Sequence, residues 1–487
     1  MSANETRTTG GEWRPITDLP DDWRTLAATD VQSLAAIWQE RRDTALKNSE
    51  ALKQFNERLA REWAIETGII EGLYTIDRGT TQVLIEQGII ASLIPHGATD
   101  KPAGRIVDIL NDHQATLEGI FDFIGRQREL STGYVKEVHA ALTQHQLTTE
   151  ALDKFNRRVE VELIRGEWKT QPNSPTRPDG NIHQYSPPEH VAAEMDRLVA
   201  LHKEHDAQGV PPEVEAAWLH HRFTQIHPFQ DGNGRVARVL ASLVFLRAGW
   251  FPLVVNRDER VTYIDALEKA DRGNILELTA LLGGMQKQRM LQALSLSETE
   301  DAGHGRKTSR EQMFAALEEK LASRQDITQS VKMDRVFELA QVLMRKTEGE
   351  FGVVSERIKI LLHESNGGNS YTLNDFSQSL VWVDVVNRIA TEHGYTPNFS
   401  VPNPSVALTI HDDNLCRISV HVHGLGRPFT GVLVALAVFS TRSEEINITR
   451  VPFQFTYNEI EDDVVVRYKP WLDEVILLGL DEWRKRL

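Results

Sequence analysis

Cysteine is almost absent, since Cys416 is alone among 487 residues. A single cysteine excludes an internal disulfide and suits a reducing compartment. Long apolar runs are missing as well. The longest, VLVALAVF at 432–439, falls far short of the roughly 20 residues that span a bilayer. The opening MSANETRTTGGEW contains no apolar core of a secretory signal. These absences lead us to expect a cytoplasmic protein that does not enter a membrane. Positive charge is in deficit too: the net charge is −16, and Lys and Arg are scattered rather than clustered. That speaks against a large nucleic-acid footprint. No internal repeat of solenoid period is found.

What is present suggests more than one domain, because a chain of this length outgrows a single core. Residues 1–48 read as an N-terminal arm followed by a first helix. A core domain is expected over 49–296. Apolar residues recur at helical spacing in VQSLAAIWQE and in IVDILNDHQATLEGIFDFI. WKTQPNSPTRPDGNIHQYSPPE, with five prolines, interrupts this pattern and reads as a hairpin or a loop over about 168–190. Helices return at EHVAAEMDRLVALHKEH and PPEVEAAWLHHRFTQI, and then at about 258–271 and 274–293. A polar linker is placed at 297–308. Ser309 and Gln312 form a capping-box signature for the helix that opens a second domain, 309–487. Helix continues there to about 365, with MRKTEGE as a polar helix end. Beyond about 404 the period becomes two: Val406, Leu408, Ile410, then Ile418, Val420, Val422. The second domain is therefore α+β.

The densest chemistry lies in IHPFQDGNGRVAR, residues 226–238. A Gly-Asn-Gly turn that opens an apolar helix presents backbone N–H groups at a helix N-terminus, a ready anion site. Gly232 and Gly234 allow close approach of a phosphate. Arg235 and Arg238 stand three apart and so neighbour each other on the helix, with guanidinium groups suited to phosphate oxygens. Asp231 can hold Mg²⁺, which commonly takes one or two carboxylates plus substrate phosphates. His227 can act as a base near neutral pH. The residue types together suit phosphoryl or nucleotidyl transfer. VARVLASLVFLRAG, which follows, is apolar nearly all round and is predicted to be a buried central helix.

HPFQDGNGRVAR resembles the Fic (Fido) motif, H-x-F-x-D/E-G-N-G-R-x-x-R, at every defined position. The resemblance covers roughly residues 50–290. It implies a mainly α, Fic-type helical bundle with a short β-hairpin flap, here followed by the α+β domain. It implies a protein adenylyltransferase that moves AMP from ATP to a Ser, Thr or Tyr hydroxyl of a target protein. His227 would take the hydroxyl proton and Asp231 would hold Mg²⁺. The segment Gly232, Asn233, Gly234, Arg235, Val236, Ala237 and Arg238 would bind the nucleotide, with Arg238 on the γ-phosphate. Tyr263 resembles a family tyrosine near the adenine; a packing role is the alternative. ETGIIEGLY resembles the family's inhibitory motif through Thr67, Glu71 and Gly72, on a helix placed at about 60–75. Glu71 would then pair with Arg238 and restrain transfer. A homodimer is a further expectation. Two other readings remain open: a nucleotide-binding regulatory protein with little turnover, and removal of AMP by the same site. Outside this region, His411, His421 and His423 suggest a metal site or a half-exposed strand. Trp382 and Trp471 read as core aromatics, and YNEIEDD as a solvated turn.

Overall fold

A computed structural model describes residues 13–152, 157–175, 183–296, 327–361, 370–375, 381–410, 415–427 and 429–487. The 297–308 linker, the Ser309 and Gln312 cap, His411 and the middle of the 168–190 segment lie outside the described residues. The chain divides into two compact units, Met1–Ala28 with Gln54–Gln286, and Thr29–Lys53 with Lys287–Leu487. The predicted first helix, α1 (Thr29–Asp43), thus falls in the second unit, although its place in the sequence groups it with the N-terminal arm.

The first unit is helical. Its elements are α2 (Glu50–Ile70, from Gln54 onward), α3 (Arg78–Gln87), α4 (Ala103–Gly125), α5 (Thr132–Leu142), α6 (Pro188–Gln208), α7 (Pro212–Ile226), α8 (Asn233–Arg247), α9 (Arg260–Asp271) and the start of α10 (Leu276–Leu294). Helix α8 is central, and every residue from Arg235 to Phe245 is buried. That is the burial expected of its all-round apolar sequence. Two strands, β1 (Thr148–Leu152) and β2 (Arg158–Glu162), form an antiparallel hairpin. The helical spacing read upstream does not extend through these residues, and the hairpin lies before the 168–190 segment. Val159 and Val161 alternate with charged residues, a period-two signal too short to stand out. The described parts of 168–190 contain no strand. Their ends meet through the His183 N–H to the Pro175 carbonyl at 2.9 Å and the Tyr185 N–H to Ser174 Oγ at 3.1 Å.

The second unit is built on an antiparallel sheet of β3 (Ser370–Asp375), β4 (Pro397–Asn398), β5 (Pro404–Ile410), β6 (Cys416–Leu425), β7 (Val432–Ser440), β8 (Glu445–Asn447) and β9 (Phe453–Thr456). The order is β3-β5-β6-β7-β8, with β4 also on β6 and β9 also on β7. The period-two residues Val406, Leu408, Ile418, Val420, Val422, Ala435 and Phe439 share one core. That core includes residues of α11 (Ile327–Leu361) and α13 (Glu461–Arg484). MRKTEGE lies inside α11 rather than at its end, with Met344 and Thr347 buried. Helix α13 was not legible because Pro470 stands within it; proline removes a backbone donor and usually ends a helix. Within YNEIEDD, Glu459 is buried while Glu461, Asp462 and Asp463 open α13. Trp471 is half-buried against the core, with its Nε1–H on the Val451 carbonyl at 2.8 Å. Helix α12 (Val381–Glu392) carries Trp382, half-buried, its ring 4.6 Å from that of His421. His421 and His423 are both buried, the former 2.9 Å from Ser419 Oγ and the latter 3.2 Å from Tyr395 OH. Among the described residues no group of three or more His, Cys, Asp or Glu is placed to hold a metal.

Candidate active site

Helix α7 ends at Ile226, and His227 is its C-cap at φ 53°, donating its N–H to the Phe223 carbonyl at 3.0 Å. The next helix begins after Gly232, whose φ of 80° favours glycine. Between them the loop is clamped. Asn233 Oδ1 accepts the Phe229 N–H and its Nδ2 donates to the Phe229 carbonyl, both at 2.8 Å. His139 of α5 stacks on Phe229 with centroids 3.8 Å apart and meets the Asp231 carbonyl at 3.0 Å through Nε2. Its Nδ1 accepts the Gly166 N–H at 2.9 Å, so Nε2 carries the proton and the ring is neutral. Burial holds its pKa down, at about 4.

His227 Nδ1 lies 3.3 Å from the Thr224 carbonyl, an acceptor, which puts the proton on Nδ1 and leaves the Nε2 lone pair as the base. Tyr185 stacks on this ring at 3.7 Å and 7°. Burial, then the ammonium of Lys169, depress the His227 pKa to about 3, so the basic form is present at neutral pH. Lys169, itself held down to about 8 by burial, donates to Asn173 Oδ1 at 2.7 Å.

Asp231 receives three donors: Gly232 N–H on Oδ1 at 2.6 Å, and Gln146 Nε2 and Thr149 Oγ1 on Oδ2 at 2.7 and 2.9 Å. Burial alone would raise its pKa, but Arg235, Gln146, the Gly232 amide and Thr149 together hold it below the usual carboxylate range. Oδ1 keeps one lone pair. The site thus offers one carboxylate position, which suits a Mg²⁺ completed by phosphate oxygens and water rather than an all-protein cage.

The N-terminus of α8 departs from ordinary capping. Among the described residues no side chain caps it, and its first turn holds Arg235 instead of an acid. Arg235 is 1% exposed, yet its Nε and Nη1 have no hydrogen-bond partner among the described residues. Buried donors are nearly always paired, so these point to an anion supplied from outside. Gly234 stands beside Glu71, and a Cβ there would collide with the Glu71 carboxylate. Val236 and Ala237 are wholly buried, and the Val236 N–H is spent on the Gly232 carbonyl at 3.1 Å. Their side chains belong to the core.

Glu71 follows the last turn of α2, which Gly72 ends at φ 68°. Its Oε1 lies 2.8 Å from Arg238 Nη2. Arg238 also donates to the Thr67 carbonyl at 3.2 Å and to Thr67 Oγ1 at 3.4 Å. Burial opposes the Arg238 charge, but Glu71 and Tyr263 more than offset it and raise its pKa. Tyr263 is buried, with its OH 2.6 Å from His220 Nε2. The end of α2 is held by Glu66, whose carboxylate takes Arg257 Nη2 at 2.6 Å and the Arg257 N–H at 2.9 Å.

The structure therefore brings His227, Asp231, Gly232, Asn233, Gly234, Arg235, Arg238, Thr67, Glu71 and Gly72 around one helix start, with Tyr263 packed behind Arg238. Sequence reading missed Gln146, Thr149, His139, Tyr185, Lys169 and His220. None of them carries a spacing signal; only the fold gathers them.

Residues 129–245 match the model of the Fic/DOC family. The chain carries a Fic/DOC-family domain. This Fic/DOC stretch includes α5, the β1–β2 hairpin, α7 and nearly all of α8. The chain is 24% identical over 256 residues to the protein adenylyltransferase fic-1 of Caenorhabditis briggsae, covering 51% of this chain and 44% of that protein. It is 41% identical over 64 residues to the protein adenylyltransferase Fic of Aedes aegypti, covering 13% of each. The chain thus spans less than half the length of these relatives. Among solved structures, a Fic domain containing signaling protein from Bacteroides thetaiotaomicron matches with a TM-score of 0.45 at 23% identity, covering 56% of this chain and all of that one. Fic-1 of Caenorhabditis elegans matches with a TM-score of 0.41 at 21% identity, covering 56% of this chain and 72% of that one.

Proposed function

We propose that this chain is a protein adenylyltransferase, moving AMP from ATP to a hydroxyl side chain of a target protein, and that Glu71 restrains it. The observation that carries the reading is the uncapped start of α8. There the buried Nε and Nη1 of Arg235 have no hydrogen-bond partner among the described residues, beside a base, a carboxylate and a second arginine. The relatives named protein adenylyltransferase agree with it. In the reaction His227 Nε2 takes the proton of the target hydroxyl. The oxygen forms a bond to the α-phosphorus of ATP, the bond to the bridging oxygen breaks, and pyrophosphate leaves. The α8 amides and Arg235 hold the phosphates in a water-poor site, where fixed donors count most. Asp231 would hold Mg²⁺, which supplies charge neutralisation on the phosphates. Arg238 would take the γ-phosphate once released from Glu71.

Labelling with α-phosphate-labelled ATP tests this directly. Glu71→Gly is expected to incorporate label into itself or a target, and Glu71→Gly with His227→Ala to incorporate none. Equal labelling by wild type and Glu71→Gly would remove the restraint from the reading. Label that survives His227→Ala would remove the base. Loss of label from an already modified target, faster in wild type than in Glu71→Gly, would favour AMP removal instead.

A further inference from the structure

Gln146 stands outside the 227–238 motif, in the turn between α5 and the β1–β2 hairpin, and its one amide group touches both charges of the site. Its Nε2 donates to Asp231 Oδ2 at 2.7 Å, and its Oε1 accepts from Arg235 Nη2 at 2.7 Å. The two contacts fix the amide orientation, because the opposite flip would set oxygen against carboxylate and N–H against guanidinium. Asp231 and Arg235 themselves stay 3.7 Å apart. At that separation the two charges attract each other but share no hydrogen bond, since a direct charge-assisted bond closes to about 2.8 Å. Thr149 Oγ1 holds the same Oδ2 at 2.9 Å, from the first strand of the hairpin.

The geometry points to Gln146 as a positioning residue that keeps Asp231 and Arg235 from closing into a direct hydrogen-bonded pair, so that the carboxylate remains available to a divalent cation and the guanidinium to a phosphate. The inference rests on the adenylyltransferase reading of those two residues. A neutral amide is well suited to this role, because it satisfies one atom of each partner and consumes the charge of neither. The Arg235 Nε and Nη1 that lack partners among the described residues are the donors such an arrangement holds in reserve. Without the amide, Arg235 and Asp231 would swing into a direct pair, and a nucleotide would have to break it.

Titration calorimetry with α,β-methylene-ATP, with and without Mg²⁺, tests the inference on the full chain. All proteins carry Glu71→Gly so that Arg238 is free in each. Breaking a direct Arg235–Asp231 bond costs about what a hydrogen bond to a charged group is worth, so Gln146→Leu is expected to lose about tenfold in nucleotide affinity even without Mg²⁺. In an Asp231→Asn background the same Gln146→Leu change is expected to cost less than about twofold, because Arg235 then has no carboxylate to collapse onto. Gln146→Glu preserves the side chain's shape and gives a second measurement; its carboxylate ties Arg235 directly, with a similar loss expected in both backgrounds. Equal losses for Gln146→Leu with and without the Asp231 charge, or unchanged affinity in Gln146→Glu, would overturn the inference while leaving the adenylyltransferase reading intact. A parent protein that binds no nucleotide would overturn that reading itself.

Discussion

Each unit of this chain contains a partly buried cluster of two carboxylates and two cations, and the two clusters are arranged differently. In the second unit Asp30 meets Lys287 at 2.9 Å and Arg467 at 3.3 Å, and Arg467 also pairs with Glu459. Every charge there is closed onto an opposite one. At the start of α8 in the first unit, Arg238 and Glu71 are closed, while Arg235 and Asp231 make no direct hydrogen bond. The helix starts differ in the same sense. Helix α13 opens with Glu461, Asp462 and Asp463, the acids that its positive end favours, whereas α8 opens with an arginine and no side-chain cap among the described residues. A charge buried for stability finds its partner within the chain. A charge buried for a ligand leaves room for one.

The largest expected effect lies in the second unit. Asp30→Ala leaves Lys287 and Arg467 without their shared carboxylate, and the loss of one partner from a buried pair costs about 3–5 kcal/mol. Chemical denaturation of the full chain would show it as an earlier transition, with nucleotide binding unchanged. An unaltered transition would mean that these charges do not depend on one another.

Glu71→Gly breaks a buried pair as well, yet it is expected to raise a rate. A nucleotide misplaced by about 1 Å reacts on the order of 100-fold more slowly, so release of Arg238 should speed AMP transfer by about that factor. The same variant should melt earlier, as Arg238 loses its carboxylate. Faster transfer with lower stability would mark Glu71–Arg238 as the one closed pair that serves control. Lower stability alone would place it with the pairs of the second unit.

Arg235→Leu sharpens the contrast from the other side. A buried guanidinium with unsatisfied donors contributes little to stability, because desolvation outweighs what pairing returns. The expected outcome is an unchanged or higher melting temperature together with about a tenfold or greater loss of nucleotide affinity, the scale of a charge-assisted bond. A large drop in melting temperature would show that Arg235 is structural after all.

How much of this was legible beforehand follows from the range of each signal. The motif residues lie within 12 positions and are read locally, as is the all-round apolar α8. Thr67 and Glu71 were read from the resemblance of ETGIIEGLY to the family's inhibitory motif. The period-two strands β5 and β6 announced themselves through Val406 to Val422. What stayed hidden depends on the fold. Gln146 reaches Arg235 across 89 positions, and Asp30 reaches Arg467 across 437. Helix α13 was masked by its own Pro470, and the β1–β2 hairpin by strands of only five residues each. Glutamine, threonine and tyrosine have no motif of their own; they become site residues only when a turn, a strand or a loop places them there.

A third buried charge cluster in the first unit gives the smallest expected effect and the finest test of the contrast. His205 places Nδ1 2.7 Å from Glu215 Oε2 and Nε2 2.7 Å from Asp18 Oδ1. Both partners are carboxylates, which only accept, so both ring nitrogens must donate and the ring is an imidazolium. The other Glu215 oxygen takes His202 Nδ1 at 2.6 Å. Burial opposes the His205 charge, but Glu215 and Asp18 outweigh it, and its pKa is raised above 6.5. A folded-state pKa above the unfolded one means that the stabilisation is complete below about pH 6.5 and is lost as pH rises through the raised value. The urea midpoint of the wild type should therefore fall across that window more steeply than that of His205→Gln, which carries no titrating ring. The Ile16 amide, held by Glu194 at 2.7 Å in the same N-terminal segment as Asp18, should exchange faster over the same window. Like the charges around Asp30 this cluster is closed by the chain itself, so the nucleotide affinity of His205→Gln at low pH should equal that of the wild type. A wild-type midpoint that stays flat, or an affinity that moves with it, would show that closed clusters in this unit do not act apart from the site.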